Sequence, residues 1–506
     1  MKMLTLLLLL PFLQSPAQQQ PDVLSLKTQT DLVLVPVVVR DKQGKHIPGL
    51  TKDKFLLEEN NKEQTISLFE EVHAATGDPQ PLVLPPGGYA NLPFDNSHEL
   101  RLTILLLDLM NTTQLQRSDG KDNLIKFLNK GLPSNQPVSL LTITQDGLKL
   151  VHPFTSDTTV LIQALKKLSL GPQPLAPRKE LALETLKQVR EIAHAYTGIP
   201  GRKTLIFAAG NIPDPQVEPT VYNSGNFNNG NFTGGNSASG YAAIGNFQET
   251  WNSLIDANIA VYPIQLMAWA VRPGSRAVRP ISGDSTLREF AGATGGNFCV
   301  EANELTKCLA EAVEDSRSYY MLGFTVRPDD RKPGWRDLKV KVSVEHANIR
   351  ARNGFYYGTP APPNSQPTVR DAEINALASP LAYSAIPMFV QVLPPAPPSA
   401  TPGQTTKTEF LVTIPLSSIK IDPNSAHPLN LEIGAIALTP KTKEAGELLH
   451  PVQGNPNPEL LQKFAREGIK LNENLDLQPG AYDVRMMVRD NNANQIGTVV
   501  FPLEVN

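Results

Sequence analysis

The stretch LLLDLMNTT, residues 105 to 113, places several oxygen-bearing side chains directly after an apolar run. Asp108, Asn111, Thr112 and Thr113 all offer oxygen atoms, the ligands that hard cations such as Mg²⁺ require. A second apolar run, KTLIFAAG, is followed by Asn211. Open α/β sheets bind ligands at the carboxyl ends of their strands. We therefore predict that these five residues belong to a ligand-binding edge.

Several kinds of chemistry are disfavoured by the rest of the sequence. The eight histidines show no HExxH spacing, and no G-x-S-x-G elbow follows an apolar run. The formal net charge is -3, and no basic run stands out that could neutralise a phosphate backbone. We therefore expect no enzyme activity and no nucleic-acid partner.

The elements that must position the edge are strands and helices in alternation. From about residue 99 to 315, strand-like apolar runs alternate with amphipathic helical runs, which predicts a doubly wound, mostly parallel α/β domain of Rossmann type. The strand candidates are LRLTILLLD, VSLLTIT, KLVHPF, KTLIFAAG, IAVYPIQL and GNFCV. One antiparallel hairpin is predicted at LLTITQDGLKLVHPF.

Mostly-β regions flank this domain. Residues 24–73 are predicted to form a small β unit. Strands are also predicted within 316–358, and they could pair with this unit if the α/β domain is inserted between the two segments. Residues 372–506 predict an immunoglobulin-like β-sandwich. The Pro- and Gly-rich stretch GDPQPLVLPPGGYANLPFDNS is predicted to separate the first β unit from the α/β domain, and TPAPPNSQP, residues 359–367, is predicted as a linker. The Asn-, Gly- and Ser-rich residues 221–241 are predicted as a mobile insertion.

The amino terminus predicts export. Residues 1–17 combine Lys2 with an apolar run too short to span a bilayer, followed by small residues, which is typical of a signal peptide. No later stretch resembles a transmembrane helix, so we expect a periplasmic, cell-surface or extracellular chain. Such a chain can keep a disulfide between Cys299 and Cys308, but Cys308 could equally be a small core residue of a helix.

The combination of these pieces resembles a family. The strand-Asp-x-x-Asn-Thr motif, the hairpin, GRKTLIFAAGN and the closing LREFAGATGGNF and DSRSYYMLGFTVRPD are similar to exported bacterial proteins with a von Willebrand factor A-related domain. The preceding VPVVVRDKQGKHIPGLTKDKFLLEENNKEQTISLFEEV resembles the segment that leads into that domain. The resemblance runs from about residue 30 to 358 and does not cover the final region.

The resemblance implies a divalent cation held by Asp-x-Ser-x-Ser, a threonine from a second loop and an aspartate after the fourth strand. Here Asp108 and Thr112 occupy two of these positions, while Met110 replaces a serine and Ala209 the aspartate. The second loop, SLGPQPLAPRKE, contains no threonine. Two alternatives remain: Asp108 and Thr112 hold Mg²⁺ in a degenerate site, or Asp108 accepts hydrogen bonds in a metal-free loop. No cofactor is firmly implied.

The resemblance also suggests the function. We expect a non-catalytic exported protein that binds an unknown protein ligand, in adhesion or extracytoplasmic assembly. The binding surface would comprise loops 108–113 and 171–178 and the loop after Gly210. A secreted hydrolase with an unrecognised site and a purely structural scaffold are the alternatives.

Overall fold

The computed structural model describes most of the chain. The described residues are 32–73, 82–92, 101–131, 136–172, 174–176, 178–210, 212, 238–266, 284–299, 305–327, 332–358, 369–394 and 405–505. The predicted signal peptide and most of the predicted insertion, residues 221–237, lie outside these ranges.

The described elements are strands and helices in the following chain order. The strands are β1 (Leu32–Arg40), β2 (Phe55–Glu59), β3 (Lys62–Gln64), β4 (Leu68–His73), β5 (Gly88–Ala90), β6 (Thr103–Asp108), β7 (Val138–Thr144), β8 (Gly147–Thr155), β9 (Lys203–Ala209), β10 (Ile259–Gln265), β11 (Ser318–Thr325), β12 (Gly334–Val342), β13 (Asn348–Ala351), β14 (Gly354–Tyr357), β15 (Phe389–Val392), β16 (Thr406–Ile414), β17 (Leu429–Leu438), β18 (Glu444–Gly454), β19 (Ile469–Leu477), β20 (Gly480–Asp490) and β21 (Gln495–Val505). The helices are α1 (Gln114–Gly131), α2 (Thr158–Lys167), α3 (Arg178–Tyr196), α4 (Ala238–Asp256), α5 (Asp284–Thr294), α6 (Leu305–Asp315), α7 (Val369–Ala378) and α8 (Pro458–Glu467), with short 3-10 helices at Lys52–Lys54 and Leu416–Ser418.

A mixed sheet forms the centre of the α/β unit, residues 101–315. Its strand order is β10-β9-β6-β7-β8, in which all neighbours are parallel except β7 and β8. The predicted hairpin is therefore confirmed as β7 and β8. The strand predicted at GNFCV is reduced to a single parallel bridge between Ile264 and Cys299. The structure is a mixed α/β fold whose main sheet contains parallel strands, as the alternating pattern predicted.

Helices cover both faces of this sheet because successive residues of a strand point to opposite sides. Ile104 and Leu106 of β6 pack in one core with residues of α3, α4 and α5. Leu105 and Leu107 pack in a second core with residues of α1, α2 and α6. Helix α4 begins at Ala238, so residues 238–241 are helical and the predicted insertion was too long at this end.

The first β unit surrounds the α/β unit in sequence. Its two sheets have the orders β13-β1-β11-β4 and β14-β12-β2-β3, so each combines strands from before and after the α/β unit. Val35 of β1 lies opposite Leu322 of β11, and Leu57 of β2 lies opposite Val340 of β12. These strands share one hydrophobic core. The chain thus leaves this unit after β4 and returns to it at β11.

The second β unit also consists of two four-stranded sheets. Their orders are β19-β16-β15-β5 and β18-β17-β20-β21, with all neighbours antiparallel and one common core. Strand β5, Gly88–Ala90, comes from the stretch predicted to separate the first β unit from the α/β domain, and its pairing with β15 was not predicted. An immunoglobulin-like topology remains a prediction for this unit.

Within the described ranges, no helix combines the length and apolar character needed to cross a bilayer.

Candidate functional site

Strand β6 delivers Asp108 to the carboxyl edge of the central sheet. Every residue of β6 is buried, because both faces of the strand are covered by helices, and Asp108 is itself fully buried. Its Oδ1 accepts hydrogen bonds from the backbone N–H groups of Met110 (2.7 Å) and Asn111 (3.1 Å). Its Oδ2 accepts one from Nδ2 of Asn111 (2.7 Å). The carboxylate therefore holds the turn between β6 and α1.

The two threonines of the loop also bond locally. Thr112 Oγ1 donates to the backbone carbonyl of Asp108 at 2.7 Å. The backbone N–H of Thr113 donates to Oε1 of Gln116 at 2.7 Å, and the N–H of Gln116 lies 3.4 Å from Oγ1 of Thr113. This reciprocal arrangement is a capping box, which satisfies free N–H groups at the start of α1. Nε2 of Gln116 also donates to the carbonyl of Leu266, just beyond β10.

Arg117 is the main residue that the sequence analysis missed. It lies in the first turn of α1 and is fully buried. Nη1 donates to the carbonyls of Leu170 (2.8 Å), Gly171 (2.9 Å) and Pro172 (3.0 Å), and Nη2 donates to the carbonyl of Leu109. One guanidinium thereby joins the loop after β6 to the loop between α2 and α3. An arginine in a helical pattern is usually exposed, so nothing in the sequence distinguished it.

Burial and charge oppose each other at this edge. Burial raises the pKa of Asp108, although the hydrogen bonds from Asn111 and Met110 and the charge of Arg117 act in the opposite direction. Burial likewise lowers the pKa of Arg117, against the attraction of the Asp108 carboxylate. Nε of Arg117 also donates to Oγ1 of Thr112 at 3.3 Å. The edge already contains its own cationic group.

Further contacts bring the neighbouring elements to the loop. Asn111 Nδ2 also donates to Oγ1 of Thr185 in α3 at 2.7 Å. Gly210, at the end of β9, packs against the loop so closely that a Cβ atom there would lie 2.2 Å from the carbonyl oxygen of Asn111. Only glycine fits this approach. Asn211, the fifth residue of the predicted edge, lies outside the described residues.

The residues of the edge do not fit an octahedral magnesium ion. The oxygens of Asp108 face three N–H donors, and the hydroxyl of Thr112 is held between the Asp108 carbonyl and Arg117. The side chains of Met110 and Ala209 belong to the hydrophobic core. A cation would have to displace these donors while lying close to a guanidinium. The contacts of Asp108 are those of the metal-free alternative, in which it accepts hydrogen bonds.

The two cysteines form a disulfide in the structure. Cys299, which bridges to β10, is bonded to Cys308 in α6, with their Cα atoms 6.0 Å apart. The bond fixes α6 to the edge of the central sheet.

Comparison with known proteins gives little support for an assignment. No protein-family model matches the chain, and no curated protein matches it. Similar solved structures include an aerotolerance-related membrane protein from Bacteroides fragilis, with 14% identity, a TM-score of 0.26, and coverage of 42% of this chain and 98% of the other.

Two further similar solved structures carry a von Willebrand A domain or a MIDAS motif in their names. The von Willebrand A domain of SpRpn10 has 12% identity, a TM-score of 0.24, and coverage of 42% of this chain and 94% of the other. Proximal thread matrix protein 1 from the mussel byssus, with a zinc-occupied MIDAS motif, has 13% identity, a TM-score of 0.25, and coverage of 43% and 48%. At such low scores, none of them supports a transfer of function to this chain.

Proposed function

We propose that the chain is a non-catalytic, von Willebrand A-like protein that binds a protein partner through the carboxyl edge of its central sheet without a metal ion. The observation that carries this proposal is the internal bonding of the edge. Arg117 joins two loops that would otherwise be separate, so the surface exists before any ligand arrives. A preformed surface loses less conformational freedom on binding.

Two exposed leucines accompany the loops that Arg117 joins. Leu115, in the first turn of α1, is 54% exposed, and Leu175, in the loop that Arg117 holds, is 98% exposed. Single exposed leucines are ordinary on protein surfaces, but apolar anchors within a polar rim are what protein interfaces use. We infer that these two leucines are contact residues for the partner.

A non-catalytic role agrees with the chemistry of the edge. Among its described residues, the polar side chains Asp108, Asn111, Thr112 and Thr113 bond to one another, to the backbone or to packed neighbours. None of these described edge residues is a histidine or a cysteine. A hydrolase would need a nucleophile beside a general base. We propose that this edge contains no such pair.

Export is part of the proposal. The Cys299–Cys308 disulfide is consistent with an oxidising compartment, as the expected signal peptide is. Adhesion or extracytoplasmic assembly would place the partner outside the cytoplasm as well.

The partner can be sought in a cell-envelope extract of the source organism. We expect the wild-type chain to retain a protein that the Leu115→Ser/Leu175→Ser double variant does not retain. Leu460→Ser is the matched control, because Leu460 is also a partly exposed leucine but lies on α8 of the second β unit. EDTA should leave capture by the wild type unchanged. Equal capture by the double variant would refute the proposed surface.

Metal independence can be tested separately by titrating Mg²⁺ while the melting temperature is followed. At a free concentration 100 times the Kd, a specific site would add about 2.7 kcal/mol to the stability of the folded state. We expect no shift, because the donors around Asp108 already occupy its oxygens. A shift of several degrees that Asp108→Ala abolishes, without loss of the fold, would restore the magnesium site.

A further inference from the structure

A second group of chemically active side chains lies on the first β unit. Glu71 and His73 are two residues apart in β4, so their side chains extend from the same face of the strand. His46 reaches this face from the loop after β1. That loop is fixed by Tyr320, whose hydroxyl donates to the carbonyl of Ile47 at 2.7 Å. The three side chains are therefore brought together by a strand and a tethered loop.

The distances within this group suit a small cation. Nε2 of His46 lies 2.9 Å from Oε1 of Glu71, and Nε2 of His73 lies 3.2 Å from the same oxygen. The three ligand atoms all lie within 4.8 Å of one another. Bonds of roughly 2.0–2.1 Å to a tetrahedral Zn²⁺ ion place neighbouring ligand atoms about 3.3 Å apart. Small rotations of the side chains would thus suffice to admit the ion.

Other contacts hold the ligands in place. The second carboxylate oxygen of Glu71, Oε2, accepts a hydrogen bond from the backbone N–H of Gly49 at 2.9 Å. The ring of His46 stacks on Tyr320 with centroids 5.4 Å apart. The ring of His73 contacts the ring of His46 edge-on, with centroids 5.9 Å apart. Metal sites commonly use such outer contacts to orient their ligands.

The group is accessible from solvent. His46 and Glu71 are mostly covered, with side-chain exposures of 17% and 20%, while His73 is 57% exposed. His46 and Ser318 also line a surface pocket of about 510 Å³. Solvent therefore reaches the group at the side chain of His73.

We propose that His46, Glu71 and His73 bind one Zn²⁺ ion, with water as the fourth ligand. Two imidazoles and a carboxylate match the ligand preference of zinc, whereas magnesium prefers oxygen ligands alone. This site lies on β4 and the loop after β1, in the first β unit, and is independent of the proposed protein-binding edge.

The same residues permit two other arrangements. The group could be only a hydrogen-bonded tether for the loop that contains His46. Alternatively, Ser318, His73 and Glu71 could form a serine–histidine–glutamate triad, since Ser318 Oγ lies 3.4 Å from Nδ1 of His73. This contact is long for a hydrogen bond, and the carboxylate is shared with His46. Both arrangements make predictions that differ from those of a zinc site.

The test uses the untagged, metal-free full-length chain. Zn²⁺ is titrated in competition with a chromophoric chelator of known affinity. We expect a one-to-one complex. His46→Ala and His73→Ala should each lower the zinc affinity by more than the roughly 10- to 100-fold that is typical when a residue hydrogen-bonded to a metal ligand is lost. Circular dichroism checks that each variant is folded. His73→Ala is the decisive variant if His46→Ala disturbs the loop, because His73 is more exposed.

Two variants serve as controls. His450→Gln removes a histidine that also pairs with a single glutamate, Glu473, at 2.8 Å, and it should bind zinc as the wild type does. Ser318→Ala should likewise leave zinc binding intact. Equal zinc affinity in the wild type and in folded His73→Ala would overturn the proposal. Ester hydrolysis by the metal-free chain that Ser318→Ala abolishes, together with unchanged zinc affinity in His73→Ala, would instead assign Ser318, His73 and Glu71 to catalysis and overturn the proposal.

Discussion

The charge of Arg117 lies buried beside the carboxylate of Asp108, where the resemblance implied a bound cation. A guanidinium is planar and offers several N–H donors, so it can donate hydrogen bonds to several backbone carbonyls at once. A small metal ion has no such donors. Here it bonds to carbonyls on both sides of the gap between two loops. We infer that this residue maintains the shape of the edge.

At the residue scale, Arg117→Leu should destabilise the protein strongly. The variant leaves the buried carbonyls of the two loops without donors and Asp108 without its nearby positive charge, which should cost roughly 2–5 kcal/mol of the free energy of unfolding. Urea unfolding measures this cost. The control is Lys126→Leu on the exposed side of the same helix, which should change stability by less than about 0.5 kcal/mol. A small effect of Arg117→Leu would contradict the role of the guanidinium.

Pairs of charged side chains connect separate strands at the scale of elements. Glu59 of β2 and Arg336 of β12 form a buried pair at 2.5 Å within one sheet of the first β unit. The half-exposed His450 of β18 and the buried Glu473 of β19 form a pair at 2.8 Å, and these strands belong to opposite sheets of the second β unit. The second pair contains a histidine, so its strength depends on pH.

The hydrogen bond to Glu473 raises the pKa of His450 above its usual 6.5 in the folded state. Folding therefore favours the protonated ring, and this stabilisation is complete below pH 6.5 and lost as the pH rises through the raised pKa. Because the pair is partly exposed, we expect an effect well under about 1 kcal/mol.

Unfolding free energies at pH 6 and pH 8.5 test this prediction. The difference between wild type and His450→Gln should be larger at pH 6 than at pH 8.5. Lys407→Gln is the control: its partner Glu409 raises the pKa of Lys407 further above 10.5, so its charge does not change in this window. A difference that is equal at both pH values would contradict the prediction.

At the scale of the whole molecule, the α/β unit is fixed to both β units. Asp315, at the end of α6, is fully buried and pairs with Arg40 of β1 (2.6 Å) and Arg350 of β13 (2.7 Å). The contact with the second β unit is made by Ser384, whose hydroxyl donates to the carbonyl of Ala195, near the end of α3, at 2.6 Å. The three units should therefore influence one another when they unfold.

Gly198→Ala tests the contact with the second β unit. A Cβ atom at Gly198 would lie 1.6 Å from the carbonyl oxygen of Ser384, so the backbone of one segment must move. We expect a loss of roughly 2–3 kcal/mol or more and, in calorimetry, separation of the unfolding of the second β unit from the rest. Gly454→Ala is the control, because the space around that position is open. A single transition at the wild-type temperature would contradict this prediction.

Much of the fold was predictable because its pattern is local. Apolar runs such as LLLD and KTLIFAA, buried on both faces, predicted central strands, and helices with one apolar stripe predicted the covering layers. The hairpin of β7 and β8 followed from a turn flanked by apolar strands. The pairing of Gly88–Ala90 could not be predicted, because the proline and glycine content of this stretch does not reveal a partner strand about 300 positions later.

The sequence by itself determined the alternation of strands and helices and the position of Asp108 at the end of a buried strand. Only the tertiary structure decided what surrounds that carboxylate, because Arg117 bonds to carbonyls more than 50 residues away. The same holds for His46, which meets β4 only after a loop folds back on the sheet. Hydrophobic periodicity reports which face of an element is buried, whereas the polar partners of a buried charge depend on packing between distant segments.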